Sequence, residues 1–585
     1  MSWNTLSNMY VVRVNNFISA KRIDILSLAI LVTTTLITRL ILFMNSENLY
    51  YVDCYNYLNN AILISEGEVL QFSRGYPFFL VLGAMVKVTD GLVDPVTSAE
   101  LFMILCNVAL IIVMYLLSKQ ILSAALAFFA TLFASIETNL IFYSLVPYLE
   151  IFAYLAGFCS LYVIASRFSK LDAKHILIGL ILCAVSVFTR FELLIVFALP
   201  LVTIALIYGI MHKGKRKAVT LIFILLGISI FLLYPQFESY YLHVTRFTPI
   251  ERIFLSLRWD VWTNAFNLIL SISGNELLDM IFKAVCLFGF LYLVVAKAIL
   301  PLTYSSELCR SKSISLKRLA SYFHDKARLT SFSLIVSFVI LLVITVAYYS
   351  VSYTITNGKL ILSSIQINAR FLIGTQLYLS WVFVYSIGRL LKIPTVFRRI
   401  GEINLKTRIG SFALNTHRLY VLFLALLLFL WIPGMWINGF NRSREADQTM
   451  GLYRKTSQWL VANLEGNSVA IVPVEVVFHV LNPELRNRTV PYKLFWDKAE
   501  VAIRADNTVE EYYMVQEQLI NFIKENNSAG YVVVDWMDAY CKPILYYSLG
   551  VNEELSQLLH KVHEEAVIRP NQWVPRIRIY EIAKD

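Results

Sequence analysis

The sequence predicts an all-α polytopic membrane domain of about eleven transmembrane helices, followed by a C-terminal extracytoplasmic α/β domain. Three observations predict it. The chain of 585 residues is 58% hydrophobic and 16% charged, with a mean hydropathy of +0.63, far from the balance of a water-soluble domain. Its Lys and Arg residues gather in short segments between apolar runs. Beyond residue 440 the apolar runs give way to short β-rich segments alternating with amphipathic ones.

Residues 1–23 form a cytoplasmic lead, with Arg13, Lys21 and Arg22 beside the first apolar run, Ile25 to Phe43. A run of that length crosses a hydrocarbon core of about 30 Å and delivers the next segment to the outside. The following run, Tyr76 to Val88, decides the sidedness of everything after it. It is short, contains Pro77, Gly83 and Lys87, and is placed along the outer surface rather than across the membrane.

Spans then fall at Ala99–Leu117, Leu122–Ser135, Tyr148–Ser166, Ile176–Val187, Leu193–Met211, Thr220–Tyr234, Leu277–Ala298, Ser331–Val351, Phe371–Leu391 and Tyr420–Trp436. On this count the basic loops around Arg167, Lys215, Arg310 to Arg328 and Lys392 to Arg418 are all cytoplasmic, as the positive-inside bias requires. Three units result: the lead 1–23; a membrane domain 24–440, with a first external loop 45–97 and a lid-like external loop 237–276; and a soluble domain 441–585. In the last, strands are expected at Ser468–Val472, Thr489–Phe495, Tyr531–Trp536 and Ile577–Ile582, with helices at Tyr512–Glu525 and Glu553–Glu565.

The net charge of +11 does not read as a nucleic-acid surface, because the cations are spaced as loop charges between spans. The seven cysteines lie singly, without the spacing of a zinc or iron–sulfur site.

The same topology brings the acidic and isolated cationic residues to the outer face. Asp53 follows the first span in an aromatic, amide-rich stretch with Tyr57. Glu150, just after Pro147, opens a span, where an ionisable group calls for a partner; Glu137 lies in the same loop. Arg190 sits in a very short connection beside Glu192, and Arg370 opens a late span. Each guanidinium suits either a phosphate or a snorkelling anchor, and Arg74 would be a third cation on this rim. The loop 237–276 carries His243, Arg246, Trp259 and Trp262, a composition for a lid at a lipid interface.

These residues resemble the GT-C superfamily of integral-membrane glycosyltransferases. The likeness rests on Asp53 to Tyr57 as a D-x-x-x-Y setting after the first span, on Arg74-Gly-Tyr-Pro77 leading into a surface helix, on Glu150 after Pro147, and on Arg370-Phe371. More narrowly, residues 20–440 look like the bacterial and archaeal relatives of dolichyl-phosphate-mannose protein mannosyltransferases and of the lipid A aminoarabinose transferase.

The resemblance implies a catalytic Asp in the first external loop and a polyprenyl- or dolichyl-phosphate sugar donor. The acceptor would be a protein, lipid or glycan. A hexosyl or pentosyl group would move with inversion if displacement is direct, with Asp53 as general base, Glu150 supporting it, and Arg74, Arg190, Arg370, Tyr57 and His243 toward the substrate and its phosphate. The mannosyltransferases carry an acidic pair in that loop, whereas here Asp53 is followed by Cys54. A two-carboxylate site would draw on Glu150 or Glu137, so a divalent cation, Mg or Mn, on Asp53, Glu150 and Glu137 stays open. A transporter or lipid flippase is the competing class. Ionisable residues gathered at one face under a folded domain favour the transferase.

Overall fold

The computed structural model describes residues 24–49, 52–68, 75–166, 173–198, 200–202, 276–293, 334–343, 345, 351–356, 359–364, 373–390, 416–492, 494–495, 509–535, 552–567 and 576–583. Three described helices have the length and apolarity of membrane spans: α1 (Asp24–Phe43), α4 (Pro95–Ile121) and α7 (Leu149–Ser166). Their outward faces show why the composition is so apolar. Ile25, Leu26 and Ile37 of α1 are exposed, as lipid contact permits. Further described helices pack in the bundle: α5 (Ala124–Ser135), α8 (Ala173–Thr189), α9 (Glu276–Leu293), α10 (Leu334–Val343) and α11 (Ile373–Leu390).

Between α1 and α4 the chain forms α2 (Val52–Ser65) and α3 (Tyr76–Thr89), which pack on each other. Gly83 lets them do so: a Cβ there would lie 2.8 Å from the Ala61 carbonyl oxygen. The start of α3 meets the bundle where the Gly75 N–H donates to the Phe188 carbonyl at 3.1 Å. Its finish is tied to the start of α4, where the Thr89 and Ser98 hydroxyls lie 2.5 Å apart. Two residues further along α4, Glu100 accepts from Ser46, just beyond α1, at 3.1 Å. Both termini of α3 therefore lie toward the end of the bundle where α1 finishes. Asp94 caps α4 by accepting from the N–H groups of Val96 and Thr97 at 2.9 and 3.1 Å, ahead of Pro95.

Inside the bundle, glycines set the helix spacing. α7 packs chiefly on α8, where Ser160 and Ser186 hydroxyls donate to the Gly179 and Ala153 carbonyls at 2.6 and 2.7 Å. A Cβ on Gly374 of α11 would lie 2.1 Å from Tyr154 Cζ of α7, and one on Gly157 would lie 2.3 Å from Phe197. Phe197 belongs to a π-helical turn, Leu194–Ala198, that follows α8 and whose Val196 carbonyl accepts from Ser337 at 2.9 Å. A short helix α6 (Thr138–Phe142) turns the corner between α5 and α7.

The last span does not stop at residue 440. Helix α12 (Thr416–Asn463) runs unbroken for 48 residues, about 70 Å, through Pro433 and across the 440/441 boundary. Its first part buries Trp431 and Met435 in the bundle, and its last part buries Tyr453 and Leu460 against the C-terminal sheet.

That sheet has five strands in the order β4-β3-β5-β7-β6. β3 (Val469–Val472) pairs in parallel with β4 (Thr489–Pro491) and β5 (Ala529–Val534), and antiparallel β7 (Arg576–Ile582) and β6 (Leu559–Ala566) complete it. Helix α13 (Glu475–Leu481) lies between β3 and β4 and α14 (Val509–Glu525) precedes β5, so Ile471, Leu519, Val532 and Ile582 share a core. A hairpin of β1 (Val351–Thr356) and β2 (Lys359–Ser364), which the spacing of spans did not anticipate, precedes α11.

Two sequence expectations are corrected here: the strand expected at Thr489–Phe495 stops at Pro491, with residues 494–495 helical, and the last predicted helix is split. Glu553–Glu565 is not a single helix: α15 (Glu553–Leu558), capped by Asn552, gives way to β6. The segment's charges fit either period, and pairing with β7, Lys561 opposite Tyr580 and Glu564 opposite Arg578, selects the strand.

Because Gly83 sits against backbone, Gly83→Val should cost about 1–3 kcal/mol by forcing α2 and α3 apart. Thermal unfolding in detergent should show a lowered midpoint; an unchanged one would mean the two helices can separate freely.

Candidate active site

Asp53 lies half-buried in the first turn of α2, where a carboxylate complements the helix dipole. Tyr57 follows one turn later on the same face. Its ring packs 5.7 Å from that of Phe79 on α3 and 6.4 Å from that of Tyr148, two residues before Glu150. From Tyr148 the rings continue to Tyr143 at 5.5 Å and Phe142 at 4.6 Å, and the Arg442 guanidinium of α12 lies 4.8 Å from the Phe142 ring. The face of α2 that carries Asp53 is thus aimed at the corner that leads into α7.

At that corner stands a buried ion cluster. Glu150, in the first turn of α7, is 4% exposed, Arg190 is 4% and Glu192 is 7%. Arg190 Nη1 donates to Glu150 Oε1, and its Nε and Nη2 donate to the Glu192 carboxylate at 3.3 and 3.4 Å. Local backbone sets this up: the Arg190 N–H still bonds back to Ser186 at 2.9 Å, and the Leu193 N–H returns to the Arg190 carbonyl at 3.0 Å, a tight turn that aims both side chains inward. Two carboxylates held by one guanidinium cannot be left unpaired so far from water.

The segment between α1 and α4 docks beside this cluster through Gly75. Its φ of 89° is in the left-handed region, and a Cβ there would lie 3.1 Å from Leu149 and 2.7 Å from Phe79. The carbonyl it bonds, Phe188, is two residues from Arg190, and Leu149 adjoins Glu150. Glycine in the Arg74-Gly-Tyr-Pro segment is required by this close approach.

A second polar corner surrounds Glu137, which caps α6 by accepting from the Leu140 N–H at 2.8 Å and also accepts from Asn139 at 3.3 Å. Asn139 bridges α11 and α12, donating to Gln376 at 3.0 Å and accepting from Arg442 at 2.8 Å. Arg39 of α1 donates to the Ser135 carbonyl at 2.7 Å. Burial pushes the Glu137 carboxyl up to about 7, against the backbone N–H bonds and the charges of Arg442 and Arg39.

Of the residues singled out from sequence, Asp53, Tyr57, Glu137, Glu150 and Arg190 stand at one end of the bundle. Arg74, His243, Arg370 and the lid residues 237–275 lie outside the described residues. Arg190, which from sequence suits either a phosphate or an anchor and has Glu192 close by as a partner, has its guanidinium engaged by Glu150 and Glu192. Glu150 and Glu137 each hold an internal partner, and among the described residues no group of three or more His, Cys, Asp or Glu could hold a metal ion. Sequence reading missed Arg39, Asn139, Gln376 and Arg442. An arginine inside a span, as Arg39 is, was the available signal; the other three become neighbours only through tertiary packing.

No family model matches the sequence, and no curated protein matches it. Solved structures do match by fold. The apo form of the oligosaccharyltransferase from Archaeoglobus fulgidus aligns with a TM-score of 0.52 at 11% identity, over 92% of this chain and 73% of that one. The oligosaccharyltransferase AglB of the same organism, in complex with an inhibitory peptide and a dolichol-phosphate, aligns at 0.48 and 12%, over 92% and 73%. ArnT from Cupriavidus metallidurans bound to undecaprenyl phosphate aligns at 0.46 and 12%, over 94% and 97%. At 11% identity the apo match shows that this chain shares the fold of that oligosaccharyltransferase.

Arg190→Met should destabilise the protein by about 3–5 kcal/mol, since it strands two buried carboxylates, whereas Glu192→Gln, which leaves Arg190 paired to Glu150, should cost much less. Thermal unfolding of both variants in the same detergent checks the order. For Glu137, the native state binds the proton more tightly than the unfolded chain, so stability falls as pH rises from about 4.5 to about 7. Glu137→Gln should flatten that stretch of a midpoint-against-pH curve; an unaltered slope would assign it to another group.

Proposed function

We propose that the protein is a membrane glycosyltransferase that moves a sugar from a polyprenyl- or dolichyl-phosphate donor to a protein, lipid or glycan acceptor at the outer face. The observation that carries this reading is the docking of the Asp53-bearing loop, through Gly75 and Tyr57, onto the corner that holds the buried Glu150–Arg190–Glu192 cluster. The fold shared with an oligosaccharyltransferase supports it. In the matching structures, dolichol-phosphate is bound by AglB and undecaprenyl phosphate by ArnT.

In this reading the amino terminus is cytoplasmic, about eleven helices span the membrane, and residues 441–585 lie outside with the loops 45–97 and 237–276. Asp53 takes the proton of an acceptor hydroxyl as its oxygen bonds to the anomeric carbon. The bond from that carbon to the donor phosphate oxygen breaks, and the lipid phosphate leaves with the electron pair. Direct displacement inverts the sugar. Arg74 and Arg370 offer donors to the leaving phosphate, and Tyr57 and His243 border the sugar or its lipid. Arg190, already engaged, acts by fixing Glu150 and Glu192 and so the corner on which the loop docks. A Mg or Mn ion on Asp53, Glu150 or Glu137 would lend charge to the phosphate. The reaction as written needs only the chain's own base and cations.

Transfer of label from radiolabelled polyprenyl-phosphate sugars to endogenous membrane acceptors tests the reading. Wild type should transfer, and Asp53→Asn at matched expression should lose roughly 100-fold or more. Equal transfer by both would remove Asp53 as the base. Absence of transfer from every donor, with folded protein, would favour a transporter or flippase.

A further inference from the structure

We infer that the C-terminal half of α12 is a latch that positions the Asp53 helix, with Asp447 and Arg454 as positioning residues for transfer; the catalytic part of this inference rests on the function proposed above. The residues ahead of α2 are held by one stripe of α12. Asp447, Gly451 and Arg454 recur at the spacing of a single helix face. Asp447 Oδ1 accepts from the backbone N–H groups of Glu47 and Asn48, both at 2.9 Å, and from Asn48 Nδ2 at 3.4 Å. Arg454 Nε donates to Asn48 Oδ1 at 3.0 Å, and its Nη2 donates to the Glu47 carbonyl. Asn48, 3% exposed, sits between the two, and a Cβ on Gly451 would meet its Nδ2 at 3.4 Å, in ordinary van der Waals contact.

The latch is anchored in the C-terminal domain. Tyr453, beside Arg454, donates to Asp535 at the end of β5. The same domain holds α2 further along, for α13 packs on α2 and Arg486 pairs with Glu66, just past its end, at 3.3 Å. The helix with Asp53 in its first turn is therefore gripped before, along and after its length by a domain that contributes none of the carboxylates of the site. A carboxylate acting as base must be placed to within a fraction of an ångström, and such a grip supplies that placement.

The test uses the full chain in lipid nanodiscs, with Asp447→Ala, Arg454→Met and Asp447→Asn. The last keeps an acceptor oxygen for the two N–H groups. Hydrogen exchange of residues 46–57 should quicken by about tenfold or more in the first two variants while β3 and β5 stay protected. With the radiolabelled polyprenyl-phosphate sugar, kcat should fall on the order of 100-fold with donor KM nearly unchanged, because orientation and not ground-state binding is lost. Asp447→Asn should recover most of both. Unchanged exchange in Asp447→Ala and Arg454→Met would overturn the latch. Quickened exchange with full kcat, in protein that Asp53→Asn inactivates, would overturn its part in transfer. If Asp53→Asn itself transfers normally, it is the base assignment that fails, and the exchange data still decide whether α12 holds the loop.

Discussion

The buried pairing of Arg190 with Glu150 and Glu192 is the constraint on which the rest of this end of the molecule depends. Three ionised groups removed from water are tolerable only together, so α7 and the turn after α8 are bound to each other wherever those groups are charged. Everything that docks nearby inherits that rigidity: Gly75 on the Phe188 carbonyl, Leu149 against Gly75, and Tyr148 against Tyr57. The cluster's formal charge is one negative, which makes it better suited to holding geometry than to attracting a phosphate.

A second constraint is the continuity of α12. α12 begins in the bundle and ends against the sheet, and its residues Asp447 and Arg454 meet the chain just before α2. The helical bundle and the C-terminal sheet are thereby joined beside the candidate site. The polar corner of Glu137, Asn139, Gln376 and Arg442 does similar work one layer deeper, tying α6, α11 and α12 together.

How much of this was legible in the sequence varies by element. The spans of α1, α4 and α7 were, because a long apolar run has few other uses. The strands at 469–472, 529–534 and 576–582 and the helix at 509–525 were, because their periodicities are clean. β6 was not, since a short charged segment reads equally well at either period until β7 is beside it. In the site, Asp53, Glu137, Glu150 and Arg190 stood out as ionisable groups at span ends. Which of them pair with each other did not, because Glu150 and Arg190 are forty positions apart and nothing local joins them.

By itself, then, the sequence determined the membrane character, the fold class and the set of ionisable residues available to a site, since hydropathy and charge spacing are properties of the chain read along its length. Only the tertiary structure decided that α3 begins and ends at the same end of the bundle, that Arg190 is spent on two carboxylates, and that α12 grips the loop carrying Asp53. Each of these is a contact between segments far apart in sequence, and its free energy exists only once packing has excluded water from both partners.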